Sequence, residues 1–207
     1  MKPAKVVVLR WGHRSRDARL TTHIALTARA LGASGMILTD IADIKLKRTL
    51  AQVIENWGGV FFFKMGIPWR TALKAWREKG GVVAHLTAYG ENIQTSKVIQ
   101  RIRATGKNVL VIVGSQKVPG DFFSKKISHF NVAVGNQPHS ECSSLAIFLD
   151  RFFEGKELDR KFERANLQII PRTHGKKLVK KDKRRKDIHT NLSLAFPVPM
   201  PKIYILA

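Results

Sequence analysis

The 207-residue chain is 44% apolar and carries 37 Lys+Arg against 15 Asp+Glu, a formal net charge of +22. Its length fits one ordinary domain with an appendage, and its charge calls for a polyanionic partner, nucleic acid ahead of an anionic membrane surface. The lone Cys142 excludes an intrachain disulfide and a Cys-based zinc site, the seven His lack metal-ligand spacing, and no apolar stretch approaches the ~20 residues of a spanning helix, so a cytoplasmic protein without metal or membrane contact is expected.

Residues 5–10 (KVVVLR) read as a strand. In 16–31, Leu20, Ile24 and Leu31 recur at roughly helical intervals, and Gly32 marks a stop. Residues 35–39 (GMILT) form the next strand. Over 43–57, Leu46, Leu50, Val53, Ile54 and Trp57 define an amphipathic helix with Asp43 as its N-cap. A strand over 60–63 precedes a helix over 68–79, which has Pro68 near its start and Gly80-Gly81 at its end. A strand over 82–86, a helix over 92–105 and strands over 109–113 and 130–134 follow. A long helix then runs from about residue 140, with Leu145, Phe148, Leu149 and Phe152 on one face.

Strands alternating with helices predict an α/β fold, a parallel sheet with helices on both faces. Ligands bind such sheets beyond the carboxyl ends of the strands. Three conspicuous loops fall there: 85–90 (HLTAYG), 114–120 (GSQKVPG) and 134–141 (VGNQPHSE). In a parallel sheet all three share one edge and make one site. No G-x-G-x-x-G is present, so a standard dinucleotide half is unsupported. The link 114–129 is broken by Pro119-Gly120 and has room for a short helical turn only. The texture changes near residue 167, which divides the chain into a domain over 1–166 and a basic extension over 167–207. Within the extension, 172–186 holds nine Lys/Arg against one Asp, and 192–207 is apolar with three prolines. Two apolar segments around a basic, Gly-containing region suit a hairpin, with the prolines at an edge.

The segments LRWGHRSRDARLTTHIALTARALGA (9–33), HLTAYG (85–90), VGSQKVPGDFF (113–123) and VGNQPHSE (134–141) resemble the archaeal tRNA (cytidine-56) 2′-O-methyltransferases, a branch of the SPOUT methyltransferases. The likeness spans about residues 5–160. The family pattern carries a charged residue where Ser115 and Gln116 stand here. The resemblance implies a deep trefoil knot, a homodimer, S-adenosylmethionine as cofactor and tRNA as substrate. It also implies that Leu86, Gly114, Ser115, Gln116, Lys117 and Val118, together with Val134, Gly135, Asn136, Gln137, Pro138, His139, Ser140 and Glu141, surround the methyl donor.

The chemistry of those residues agrees. Gly114 and Gly135 permit close backbone approach to an adenine, and Leu86 and Val134 suit its ring faces. Asn136, Gln137 and Ser140 suit the ribose or amino-acid moiety, and the following helix offers free N–H groups to a carboxylate. Related ribose methyltransferases assign an Arg near the first helix to the 2′-hydroxyl. Among Arg10, Arg14, Arg16, Arg19 and Arg29, the expectation falls on Arg19, with Arg29 second. Guanidinium stays protonated, so charge stabilisation suits it better than proton abstraction. Residues 172–186 suit tRNA phosphates. Two rival readings remain: a base methyltransferase using Glu141 or His139, and a non-catalytic RNA-binding protein. A Cys142 nucleophile lacks supporting machinery nearby.

Overall fold

The computed structural model describes residues 4–180; the apolar segment 192–207 and the end of the basic run, 181–186, lie outside them. Strands β1 (Val6–Arg10), β2 (Gly35–Thr39) and β5 (Val109–Val113) are buried at every residue. With β3 (Phe62–Ile67), β4 (Val82–Asn92) and β6 (Phe130–Ala133) they form a six-stranded sheet of order β3-β2-β1-β5-β4-β6, parallel at every pairing. The central strands read as continuous Val/Ile/Leu runs because both of their faces are covered.

Side chains alternate across the sheet, so Val6 and Val8 join one core and Val7 and Leu9 the other. The first core takes Ile24 and Ala28 of α1 (Ala18–Ala30), Leu46 and Leu50 of α2 (Ile44–Trp57), Ile99 and Ile102 of α4 (Val98–Ala104), and Leu145 to Phe152 of α5 (Glu141–Phe153). The second is thinner, with Ala72 and Leu73 of α3 (Trp69–Glu78) and Phe122, and with Trp11, Trp69 and Trp76 packed against it. Helices cover both faces, as expected, but unequally. Asp43 caps α2, its carboxylate accepting from Leu46 N–H at 2.9 Å. Pro68 sits at the N-cap of α3 rather than inside it.

Two expectations need correction. The strand placed at 60–63 begins at Phe62, because Gly58 and Gly59 both have positive φ and the chain is still turning at Val60, which is 85% exposed. The helix placed at 92–105 begins at Val98. Before it, the Asn92 side chain accepts from Gln94 and Thr95 N–H at 2.9 and 3.3 Å, a local turn that competes with helix.

The chain upstream of that turn is unusual. Both Leu86 and Glu91 face Val132 of β6, so residues 87–90 are looped out of the ladder. Gly90 makes this possible, since a Cβ there would lie 2.5 Å from the backbone of Asn131 and Val132. A Gly90→Ala variant is therefore expected to lose about 1–3 kcal/mol, the usual cost of overpacking. Thermal unfolding should show this as a midpoint fall of roughly 3–10 °C, and an unchanged midpoint would mean that the bulge yields freely.

The link 114–129 contains one 3₁₀ turn, Gly120–Phe123. The chain divides into two compact units between Ala165 and Asn166. In the second, β7 (Leu167–Ile169) pairs antiparallel with β8 (Leu178–Lys180). This hairpin draws its second strand from the basic run, and the expectation for 192–207 lies outside the described residues. Among the described residues no helix is long and apolar enough to cross a membrane.

Candidate active site

The three loops meet in one cleft of about 800 Å³, within the range of small-molecule sites, ~300–1,000 Å³. From the expected set, Leu86, Gly114, Ser115, Gln116, Lys117, Val118, Gln137, Pro138, His139 and Glu141 line it. The rest of the wall is Arg14, Asp17 and Leu20 from the start of α1, Thr87 to Tyr89 from the bulge, Phe123, His85, Val113 and Ser144. Backbone N–H groups of Ser115, Gln116, Lys117 and Val118 make no hydrogen bond among the described residues. Consecutive unpaired amides at the end of a buried strand fit a ligand bearing acceptors, such as an adenine or a carboxylate.

Arg10 lies beneath these loops. Its side chain is fully buried at the end of β1, donates through Nη1 to the Gly114 carbonyl, and stands 3.9 Å from Glu141 Oε1. Its Nε and Nη2 have no partner among the described residues. Burial lowers its pKa, with Glu141 as the main opposing influence. After Arg10 the chain turns at Gly12 (φ +77°), where a Cβ would meet the Ser115 Cβ at 2.8 Å. That turn buries His13, which accepts from Thr21 Oγ1 at 2.8 Å on Nδ1 and points Nε2 at Asp43 Oδ2, 3.2 Å away. It also sends Arg14 to the cleft. Arg14 Nε donates to Asp17 Oδ2 at 2.7 Å, so the guanidinium is aimed while its terminal NH₂ groups stay available. This hydrogen bond is the main reason the Asp17 carboxyl is held below its ordinary range.

The arginine expectations therefore shift. Arg19 is exposed on α1 and is not among the residues lining the cleft. Arg29, in the last turn of α1, is buried; its Nη2 donates to the Gly58 carbonyl, and its guanidinium lies 4.6 Å from the Phe162 ring centroid. It holds the turn at Gly58 and is not among the residues lining the cleft. Arg14 was visible as one of a cluster, but periodicity could not show that the turn at Gly12 singles it out.

Several loop residues hold the loops themselves. Asn136 donates to the Ala88 and Gly90 carbonyls at 2.8 and 3.2 Å and accepts from Asn92 Nδ2 at 3.0 Å. Its amide is spent on the bulge rather than offered to a ribose. His139 donates from Nε2 to the Val134 carbonyl at 2.5 Å, and its Nδ1 is 3.3 Å from Ser144 Oγ. With both nitrogens engaged it closes the turn 134–139 and is a poor base. Ser140 caps α5 by accepting from Cys142 N–H at 3.2 Å. Val134, Gly135, Asn136 and Ser140 thus shape the rim without lining the cleft. Burial pushes the Cys142 thiol up, against a thiolate nucleophile.

His85, at the end of the buried part of β4, is 1% exposed and packs edge-on to Phe122 and Phe123 at 5.6 and 5.1 Å. Desolvation pushes its pKa down to about 4, partly opposed by the Asn131 side chain. Asn131 Nδ2 donates to the Phe123 carbonyl, so its Oδ1 accepts the His85 Nδ1–H at 3.2 Å. A depressed histidine binds its proton more weakly in the folded than in the unfolded chain. Stability contributed by neutral His85 is thus complete above the unfolded value near 6.5 and is lost as pH falls toward 4. We expect His85→Asn to flatten the decline of the unfolding midpoint between those limits, a contribution on the order of 3 kcal/mol. Parallel pH profiles for the two proteins would contradict this.

Residues 57–179 match the model of a family described as tRNA ribose 2′-O-methyltransferase, aTrm56. The tRNA (cytidine(56)-2′-O)-methyltransferase of Methanocella arvoryzae is 48% identical over 176 residues, 84% of this chain and 97% of its own. The protein of the same name from Thermofilum pendens is 49% identical over 179 residues, 86% of this chain and 97% of its own. Among solved structures, the SpoU methyltransferase AviRb from Streptomyces viridochromogenes, in complex with the cofactor AdoMet, shares the fold. Its TM-score is 0.53 at 13% identity, covering 77% of this chain and 61% of the other.

Proposed function

This chain belongs to the tRNA ribose 2′-O-methyltransferase family aTrm56, and from that premise we propose that it methylates the ribose 2′-hydroxyl of cytidine 56 in tRNA with S-adenosylmethionine as donor. One observation carries the reading: three strand-end loops converge with an Asp17-aimed Arg14 on a single cleft.

The amides of 115–118, unbonded among the described residues, and the apolar walls of Leu86, Val118 and Pro138 fit the donor's adenine, and the start of α5 fits its carboxylate. Bound there, S-adenosylmethionine supplies an electrophilic methyl group on a sulfonium centre. Arg14 holds the phosphate beside the target ribose and stabilises negative charge growing on O2′ as its proton leaves to water. Asp17 keeps Arg14 in register and, with its pKa lowered, is a weak base. Alignment supplies most of the rate.

We further assign a trefoil knot, supported by the short link 114–129 and by the grip of Asn136 on the bulge of β4. The homodimer, the cytoplasmic location and the division at 166/167 into a catalytic domain and a phosphate-binding extension complete the proposal. The basic extension supplies affinity without base information.

The deciding experiment incubates the purified chain with labelled S-adenosylmethionine and an unmodified tRNA transcript and digests the product to nucleosides. Label in 2′-O-methylcytidine is the expected result. Label on a base would make Arg14 a substrate-binding group only, and no transfer despite tRNA binding would leave the basic surface as the function.

A further inference from the structure

Tyr89 stands out on the cleft's rim. It is 87% exposed, yet its backbone is held on both sides. Asn136 grips the carbonyls on either side of it, at Ala88 and Gly90, and Tyr89 N–H donates to Thr87 Oγ1 at 3.3 Å. Gly90 then rests directly on the backbone of β6. An exposed aromatic on a rigid pedestal carries little ordering cost on contact, which is how binding sites use Tyr. Opposite it stands Phe123, 37% exposed, with its ring centroid 6.1 Å away and the planes at 71°. Phe123 in turn backs onto buried His85. The two rings form an uncharged corner that opens on the cleft.

We propose that this corner, with Tyr89 as its stacking face, receives the nucleobase of the nucleotide being methylated, turned out of the folded tRNA. The inference rests on the ribose-methylation reading given above. A ribose whose 2′-hydroxyl reaches the methyl donor holds its base within one sugar's breadth, and Tyr89 offers a flat aromatic face on the wall of the same cleft. Arg14 and Lys117 on the same cleft suit the flanking phosphates. Bases taken out of a stack are held by aromatic stacking of this kind. Stacking tolerates any base, so Tyr89 supplies affinity and orientation and leaves the choice of cytosine to other contacts.

The test compares wild type, Tyr89→Phe and Tyr89→Ala on two tRNA transcripts, one with cytidine and one with an abasic ribose at the target position. On cytidine tRNA, Tyr89→Ala is expected to lose roughly tenfold to hundredfold in kcat/KM, the range of one base–aromatic stack, and Tyr89→Phe to restore it. Cofactor affinity and the unfolding midpoint should not move. On abasic tRNA, wild type should fall toward the level of the variant, and Tyr89→Ala should add no further loss. Equal activity of Tyr89→Ala on cytidine tRNA would overturn the assignment, as would the same proportional loss on both transcripts. Conversion of a dimer to a monomer in sedimentation would also overturn it, placing the ring between copies of the chain. Failure of the wild-type chain to methylate any ribose would overturn both readings together, whereas active wild type with an indifferent Tyr89→Ala overturns this one alone.

Discussion

Arg14→Ala should lower kcat for methyl transfer by about 10²–10³-fold, the usual cost of removing one preorganised charge-stabilising donor, while S-adenosylmethionine affinity stays nearly constant. Arg14 reaches the cleft from the turn at Gly12, and its Nε bond to Asp17 fixes the plane of the guanidinium before substrate arrives. Arg14→Lys should recover little, because an ammonium cannot bond Asp17 and present two further aimed donors at once. Asp17→Asn should cost less than Arg14→Ala, since the amide keeps an acceptor for Nε but surrenders the charge. Arg19→Ala is the contrasting control. As an exposed cation away from the cleft lining, it should weaken tRNA binding by about one phosphate contact's share of the salt dependence and leave kcat alone. Stopped-time single-turnover assays at saturating tRNA separate the cases. A large kcat defect in Arg19→Ala beside a mild one in Arg14→Ala would reverse the assignment.

That reversal of emphasis between two arginines five residues apart shows what the sequence carries and what it lacks. Strands β1, β2 and β5 were legible because burial on both faces leaves an uninterrupted apolar run, and α2 because Asp43 and a regular stripe mark its start and face. The ordering of three polar loops at the ends of β4, β5 and β6 follows from parallel strands alone, so the cleft was legible too. Directions of individual side chains were not. Asn136 reads as a ligand-binding amide in a polar turn, yet its partners, Ala88, Gly90 and Asn92, lie more than forty positions away in sequence. The bulge of β4 was hidden for the same reason: residues 87–90 leave the ladder because Leu86 and Glu91 both meet Val132, a pairing that periodicity cannot express. Tyr89 and Phe123 had a signal, two aromatics in polar loops, but only the fold sets them 6.1 Å apart.

Arg10 is the hardest residue to read from its position, since a cation closing a run of valines looks like the end of a strand reaching water. Instead it is fully buried, with Gly114 and Glu141 as its polar side-chain contacts and two donor atoms unpartnered among the described residues. A buried charge of this kind is costly to create and costlier to leave half-matched. Arg10→Ala removes the counter-charge of Glu141 and opens a cavity under the 114–118 loop. We expect a loss of about 3–5 kcal/mol, seen as a fall of roughly 10 °C or more in the unfolding midpoint. Arg10→Met separates charge from volume. A methionine fills most of the same space and abolishes the unpartnered Nε and Nη2, so its stability loss should be clearly smaller than that of Ala. Both variants, however, strip the Gly114 carbonyl of its donor and free the loop whose amides face the cleft. Cofactor affinity should therefore drop by about tenfold in both, the weight of one charge-assisted hydrogen bond. If Met were as unstable as Ala, the ion pair would be holding the domain together. If Met bound the cofactor as tightly as wild type, the Gly114 loop would be held by its own packing, and Arg10 would serve stability alone.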